Sequence, residues 1–511
     1  MNSIKCPLKT ALAIVISTTL AAPAFAYVTN TKKTSETSAQ DEQKLYQIIV
    51  KYRNEPGNSA EMASAGTAKD NLNQVMSQRV SKVQSVAQSF GANISAKRQI
   101  VTGGWVFRSN VALKPAQMKE LADKLAKSDS SIEYAEPDYI FHAMFVPTDP
   151  LFATSQWDMQ ASASQAGGLN LPGAWDITTG KNMVVAVLDT GYRPHPDLVA
   201  NLVPAQNGIA NQYGYNFITD PVAARITPPS GVTSARGWDA LDQGDWTDPN
   251  DTVCPSQFGS SSSWHGTHVA GTIAALANGV GVVGVAPSAK VLPLRVLGKC
   301  GGHNSDIADA VAWASGTHIN GIPDNTTPAN VINLSLGGHG FCTKTSSNVF
   351  QQAMKNGTVI VVAAGNENID AKVSNPANCP GVITVASSNI LGGRSSYSNY
   401  GGTVTVAAPG GGATDAVQGG PPPKDVITST LPTGSKTSTD DTTYGPMKGT
   451  SQATPHVAGV AALMLSVNPK LTPARVKQIL VNTARPTPIN CPGCGAGIVD
   501  ATAAVKAAVG G

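Results

Sequence analysis

Three short segments carry an aspartate, a histidine and a serine in settings suited to acyl transfer. They are Val187-Leu188-Asp189-Thr190-Gly191, His265-Gly266-Thr267-His268-Val269-Ala270-Gly271 and Gly449-Thr450-Ser451-Gln452-Ala453-Thr454-Pro455-His456. A serine hydroxyl is a weak nucleophile at neutral pH. It needs a neutral imidazole to take its proton, and a carboxylate to orient that imidazole and stabilise its charged form. The chain supplies one of each, in the order Asp, His, Ser. Taken alone, Ser451 reads as an ordinary helix N-cap; the matching Asp and His segments turn that reading toward chemistry. It precedes Ala453 to Leu465, an apolar Ala/Gly-rich stretch that reads as a buried helix, so its N–H lies near a helix N-terminus, where it can help stabilise an oxyanion.

Elements able to position these groups are visible around them. Met183 to Leu188, Val331 to Leu336 and Thr358 to Ala364 are near-continuous apolar runs, as strands buried on both faces of a parallel sheet must be. Gly271 to Ala277, Asn304 to Ser315 and Asn348 to Asn356 read as helices between them. The alternation predicts an α/β fold, a doubly wound parallel sheet. Asp189, Ser335-Leu336-Gly337 and Asn366 then fall at the carboxyl ends of strands, the edge where open α/β sheets bind ligands.

The residues flanking the three motifs closely resemble the subtilisin (subtilase) family of serine endopeptidases, from about Asp149 to near the C-terminus; the Asp, His, Ser order is also that family's. The resemblance implies that Asp189 orients the imidazole, His265 is the general base, Ser451 the nucleophile and Asn366, in Ala364-Gly365-Asn366, the oxyanion donor. By itself Asn366 would be only a turn residue after a strand. Gln452 departs from the methionine that many members carry after the serine. Cys300-Gly301-Gly302 and Ser335-Leu336-Gly337 are implied to offer backbone edges between which an extended peptide adds as a strand. A side-chain pocket is expected near Ala364-Gly365 and Ser374-Asn375. Glu367 either favours basic side chains there or is an exposed loop carboxylate.

Calcium is the implied cofactor. Leu276-Ala277-Asn278-Gly279-Val280-Gly281-Val282 resembles the family's strong calcium loop, with Leu276, Asn278, Val280 and Val282 as ligands, and Asp149 and Asp197 match its carboxylates; such scattered oxygens suit a hard ion. Asp239, Asp242, Asp245, Asp248 and Asp251, around Trp246, form either a second calcium site or a solvated acidic loop. His265 and His268 stand three apart without the intervening glutamate of a His-Glu-x-x-His zinc motif. His268 is therefore read as structural, His456 as a buried packing histidine and His195 as a loop residue, with no spare carboxylate partner in view.

The N-terminus reads as an export signal over residues 1–26. Lys5 and Lys9 precede an apolar run from Ala11 to Ala22, and Ala24-Phe25-Ala26 is a small-x-small cleavage site. The run is too short for a membrane span, and no later stretch reaches the roughly 20 apolar residues required. Residues 27–144 form a pro-segment in this reading, with a flexible leader to residue 44 and then a β-α-β-β-α-β order that fits a ferredoxin-like module. It resembles the inhibitory pro-segment that precedes subtilase domains. Residues 145–511 are the peptidase domain. Self-cleavage is expected between Phe141 and Val146, with the released segment inhibiting the cleft until degraded.

Composition agrees with a globular, exported chain. Hydrophobic residues make up 41% and charged residues 14% of 511 residues, enough for a sizeable core. A formal net charge of +3, without basic runs interleaved with aromatics, argues against a nucleic-acid surface. Polypeptides are the expected partners, with no nucleic acid, no membrane and a monomeric chain. Of the seven cysteines, Cys6 leaves with the signal. Cys254, Cys300, Cys342, Cys379, Cys491 and Cys494 remain, an even set that suggests disulfides. Six cysteines allow 15 connectivities; sequential pairing is preferred here because each consecutive pair flanks a shared region. A zinc site on Cys491 and Cys494 would need a second ligand pair. Pro409 to Thr443, rich in Gly, Pro and Thr, reads as a surface insertion. The competing functional class is a protein-binding pseudoenzyme on the same fold, and a third reading is a dedicated processor of one partner.

Overall fold

The structure is a computed structural model that describes residues 44–53, 68–140, 145–251, 254, 259–412, 424–489 and 491–510. The expected signal, most of the leader after it, residues 141–144 of the expected connector and residues 413–423 of the expected insertion lie outside the described residues. The chain divides into two compact units, Met1–Pro137 and Asp138–Gly511.

The first unit holds β1 (Leu45–Tyr52), α1 (Ala68–Ala87), β2 (Ile94–Gln99), β3 (Trp105–Leu113), α2 (Pro115–Ser128) and β4 (Ile132–Pro137). Its antiparallel sheet runs β2-β3-β1-β4. Helix α2 starts at a proline, where a missing N–H costs nothing. It buries Met118, Leu121, Ala122 and Leu125, the i, i+3, i+4, i+7 stripe of a helix lying on a sheet.

The second unit is built on eight strands. In chain order they are β5 (Val184–Asp189), β6 (Tyr215–Asn216), β7 (Gly237–Trp238), β8 (Lys290–Arg295), β9 (Val331–Leu334), β11 (Val359–Ala363), β13 (Ile383–Ser388) and β14 (Val406–Pro409). Their order across the sheet is β14-β13-β11-β9-β5-β8-β6-β7, and every pairing is parallel except β6 with β7. The chain leaves β5 for β8 on one side and returns as β9 on the other, so the strand order reverses at β5. Two short antiparallel pairs accompany the sheet: β10 (Gly338–His339) with β12 (Ser374–Asn375), separated in the chain by the helix over Lys344–Lys355 and by β11, and β15 (Ile427–Thr430) with β16 (Tyr444–Met447). The helices are α3 (Pro150–Thr154), α4 (Pro172–Trp175), α5 (Pro221–Ala224), α6 (His265–Ala274), α7 (Asn304–Ala314), α8 (Lys344–Lys355), α9 (Thr450–Val467), α10 (Pro473–Thr483) and α11 (Ala501–Val509). One core cluster packs Val269, Ile273, Val457 and Val460 against Val185, Val331 and Val361; a second packs Val311, Trp313 and Phe350 around Ala186, Ile332 and Ile360. The two faces of each strand thus feed different cores, which is the doubly wound α/β class expected.

Three expectations about elements need correction. Helix α6 begins at His265 and ends at Ala274, whereas the sequence reading began it at Gly271. Gly266 and Gly271 lower helix propensity, but here they permit close packing: a Cβ on Gly266 would lie 2.2 Å from the Gly191 carbonyl oxygen, and one on Gly271 2.1 Å from Thr430 Oγ1. Helix α9 begins at Thr450, so Ser451 sits inside the first turn rather than before it. The segment from Pro409 to Thr443 is not wholly a surface excursion. Its β15 carries Ile427, Ser429 and Thr430 with no exposed surface. Their hydroxyls read as loop chemistry in sequence but are bonded inside: Ser429 Oγ donates to the His268 carbonyl at 2.8 Å and Thr430 Oγ1 to that of Thr267 at 2.9 Å.

Candidate active site

Asp189 closes β5 and is fully buried, while His265 opens α6 with its side chain 20% exposed. Imidazole Nδ1 lies 2.8 and 3.0 Å from the two Asp189 carboxylate oxygens. That contact assigns the Nδ1 proton to the carboxylate and leaves Nε2 as the free base. Burial is the largest single influence and depresses the imidazole, but the adjoining Asp189 charge and hydrogen bond, with smaller contributions from Asp245 and Asp242, together outweigh it and hold His265 above the usual histidine range. Thr190, next in the chain, ties the two elements: its N–H donates to Asp189 Oδ1 at 2.7 Å and its hydroxyl accepts the Gly266 N–H at 3.0 Å.

Ser451 lines the same cleft as His265, and its Oγ donates to the Ser335 carbonyl at 3.1 Å. A serine hydroxyl is re-aimed by rotation about its Cα–Cβ bond, an ordinary rotamer step. Asn366 follows β11. Its Oδ1 accepts from both the N–H and the hydroxyl of Thr450, at 2.8 and 2.9 Å, which orients its Nδ2 donor away from Thr450. The Thr450 hydroxyl also accepts the Gly365 N–H at 3.1 Å. Sequence reasoning missed Thr450 and Thr190 as supports, although each adjoins a predicted site residue.

The cleft, of about 790 Å3, is lined by Gly301, Gly302, Ser335, Leu336, Gly337, Gly365, Asn366 and Ser451, so the residues expected to bind a peptide are brought together with those suited to acyl transfer. Ala364, Glu367, Ser374 and Asn375 line it as well. Glu367 is exposed, with Oε2 accepting from Asn399 Nδ2 at 2.7 Å. Asn399 is itself fully buried and fixes that loop through the Glu367 and Ile369 N–H groups.

Beyond the other end of α6, Asp149 and Asp197 are buried beside the loop Leu276 to Val282. Asp149 Oδ1 accepts the Asn278 and Gly279 N–H groups, each at 3.1 Å, and its Oδ2 has no hydrogen-bond partner. Asp197 accepts from Asn278 Nδ2 at 3.0 Å, Tyr444 Oη at 3.1 Å and the Val282 N–H at 3.3 Å. Burial, with the Asp149 charge adding to it, pushes the Asp197 carboxyl up to about 7. Among the described residues no cluster of three or more His, Cys, Asp or Glu could hold a metal. Any ion here would draw its remaining ligands from carbonyl and amide oxygens, as calcium does.

The five aspartates near Trp246 do not converge. Asp239 accepts from Tyr192 Oη, Asp245 from the Ser263 N–H and hydroxyl, and Asp242 from the Gly244 N–H, while Asp248 pairs with Lys436 and Asp251 with Lys299. The second-calcium expectation falls, because each carboxylate is turned to a different neighbour. His268 is fully buried and donates from Nε2 to the Ile427 carbonyl; burial holds it down to about 3, hence neutral. His195 bonds the Thr443 carbonyl. His456, expected to lack a carboxylate, has one: its Nε2 lies 2.9 Å from Asp158 Oδ2, both fully buried. The two are 298 residues apart, a separation no local pattern bridges. The disulfides are Cys254–Cys300, Cys342–Cys379 and Cys491–Cys494.

Among known proteins the subtilase family of peptidases matches residues 180–504. An extracellular protease of Xanthomonas campestris is 45% identical over 422 residues, covering 82% of this chain and 66% of its own length. An extracellular basic protease of Dichelobacter nodosus is 36% identical, covering 98% of this chain and 77% of its own. A solved protease structure from Pseudoalteromonas arctica, 49% identical, superposes with a TM-score of 0.64 over 71% of this chain and all of that one. Among the described residues no helix is long and apolar enough to cross a membrane. With the parallel sheet, the Asp189–His265 contact and the shared cleft, these likenesses identify the chain as a member of the subtilase family of serine endopeptidases.

Proposed function

We propose that the protein is an exported, self-processing endopeptidase that cuts extended polypeptides through an acyl-enzyme. Ser451 Oγ attacks the peptide carbonyl carbon while His265 Nε2 takes the hydroxyl proton, and the same proton then passes to the leaving amine. Water repeats the sequence on the acyl-enzyme. Asp189 keeps the imidazole in the correct tautomer and stabilises its charged form, and the oxyanion accepts from Asn366 Nδ2 and the Ser451 N–H. The observation that carries this reading is the 2.8 Å contact of His265 with Asp189, behind a cleft that Ser451 and Asn366 share.

Residues 1–26 act as the export signal in this proposal, residues 27–144 as an inhibitory pro-segment and residues 145–511 as the mature enzyme, released by a cut between Phe141 and Val146. Calcium fits the second site: the buried Asp149 and Asp197 both bond Asn278, and Asp149 Oδ2 lacks a partner. Asp149, Asp197 and Asn278, with carbonyls of Leu276, Val280 and Val282, would hold it. Bound there, the ion offsets two buried negative charges. Asp245 and Glu367 also line the cleft, whose wall holds no lysine or arginine among the described residues, so basic side chains are favoured. Equal kcat/KM on peptides differing only by Lys or Glu beside the cut would reject that preference.

The decisive experiment compares wild type with Ser451→Ala by mass spectrometry. The variant should fold yet stay joined to its pro-segment, since losing the nucleophile costs about a millionfold in rate. Normal maturation of Ser451→Ala in a host lacking other proteases would overturn the proposal.

A further inference from the structure

Proline at position 455 stands inside α9, four residues after Ser451. A proline has no N–H, so the carbonyl four residues back loses its helical donor. That carbonyl belongs to Ser451, and a main-chain acceptor left bare in a packed helix is costly. The vacancy is filled from outside the helix: Ser335 Oγ donates to the Ser451 carbonyl at 2.7 Å. The same serine grips the other side of the residue, because its carbonyl accepts Ser451 Oγ at 3.1 Å.

Ser335 is in turn fixed by Asn333, whose Nδ2 donates to Ser335 Oγ at 3.0 Å. Asn333 is fully buried in the interior of β9, between valine, isoleucine and leucine, and its Oδ1 has no hydrogen-bond partner. An amide so placed pays desolvation for a single bond. That bond sets a direction. With Asn333 donating into its oxygen, the Ser335 hydroxyl directs its own proton to Ser451.

We propose that Asn333 and Ser335 are positioning residues for Ser451, holding its main chain through the carbonyl that Pro455 sets free. The inference rests on Ser451 being the nucleophile. A fixed main chain at residue 451 fixes two things at once, the arc its hydroxyl sweeps and the direction of its N–H. Errors of about 1 Å in such groups cost on the order of a hundredfold in rate.

The test uses full-length protein matured by an added protease that is then inhibited. Asn333→Asp is nearly isosteric and, ionised at an alkaline assay pH above its burial-raised pKa, offers acceptors only, so it draws the Ser335 proton away from Ser451. Ser335→Ala removes that proton. Each should lower kcat about tenfold with KM within about twofold, and slow inactivation by phenylmethanesulfonyl fluoride in parallel. Pro455→Ala restores an N–H to the Ser451 carbonyl and makes the Ser335 hydroxyl redundant. The Ser335→Ala/Pro455→Ala double variant should therefore recover most of the lost rate, a coupling that a merely structural role does not produce. Unchanged kcat in Asn333→Asp, or losses that simply multiply in the double variant, would overturn the proposal. If a single variant does not fold, rescue of folding by Pro455→Ala supports it and failure of rescue opposes it. Equal reaction of the fluoride with wild type and Ser451→Ala would instead reject the nucleophile assignment.

Discussion

Helix α6 has buried carboxylates beyond both of its ends, in opposite electrostatic states. At the N-terminal end Asp189 faces the His265 imidazole at 2.8 Å, so its charge has a partner that is raised above the usual range in return. Past the C-terminal end Asp149 and Asp197 face each other's field across Asn278, and burial pushes Asp197 up to about 7. Asp189 has a titratable imidazole against it, whereas Asp149 and Asp197 have only neutral hydrogen-bond donors, which is why the proposed cation is placed there. Beside His265, about one turn into the helix, the Thr267 and His268 carbonyls are held by neutral hydrogen bonds from β15. Substitutions at the three places should therefore give three different signatures.

The largest effect belongs to the N-terminal end. Asp189→Asn keeps the shape but removes the charge, and the amide can offer His265 Nδ1 a donor in place of an acceptor. The kcat of protein matured in trans should fall about ten-thousandfold. The pH profile sharpens the point. Activity needs neutral imidazole, so it rises with pH through the His265 pKa, which Asp189 holds above 6.5. With the carboxylate gone, burial remains and lowers that pKa, so the residual activity should extend to lower pH. A profile that keeps its acid limb would show that Asp189 does not set the protonation of His265.

How much of this comparison was legible beforehand follows from what each residue depends on. Asp189, His265 and Ser451 were readable because each sits in a dense local motif at a strand end or helix start. The helical start at His265 was not, because Gly266 and Gly271 oppose helix formation locally and are repaid only by contacts with Gly191 and Thr430. Nor was β15, whose Ser429 and Thr430 hydroxyls look solvent-directed until the helix carbonyls that accept them are known. The aspartates around Trp246 misled for the converse reason. Closeness in sequence says nothing of convergence, and Lys436, one partner, lies 188 residues away from Asp248.

The C-terminal end should respond to metal, and its ion binding should weaken as pH falls through about 7, where the Asp197 carboxyl takes up a proton. Calcium at a hundredfold excess over its dissociation constant would stabilise the mature domain by about 2.7 kcal/mol. Chelation should lower the melting temperature accordingly. Asp197→Asn tells metal binding from simple packing: it should abolish the calcium response, yet in chelator it should melt no lower than wild type, because one of two mutually repelling carboxylates is gone. A melting curve indifferent to chelator, with no calcium by elemental analysis, would leave the two ends of α6 alike.

The smallest effect is expected at the backbone bonds that β15 makes to the first turn of the helix. Thr430 Oγ1 is fully buried and donates to the Thr267 carbonyl at 2.9 Å. Thr430→Val keeps the branched shape and removes that donor. The Thr267 carbonyl retains its place in the helical ladder, so no acceptor is stranded. The loss should be about 1 kcal/mol, the net worth of one neutral hydrogen bond. In a domain of this size that lowers the melting temperature by roughly 2 °C. Because Thr430 bonds the helix backbone and neither Asp189 nor His265, kcat/KM should change less than twofold and the acid limb should not move. A tenfold fall in kcat at unchanged stability would mean that β15 helps aim the imidazole, and the separation of the His265–Asp189 pair from the backbone bonds beside it would have to be abandoned.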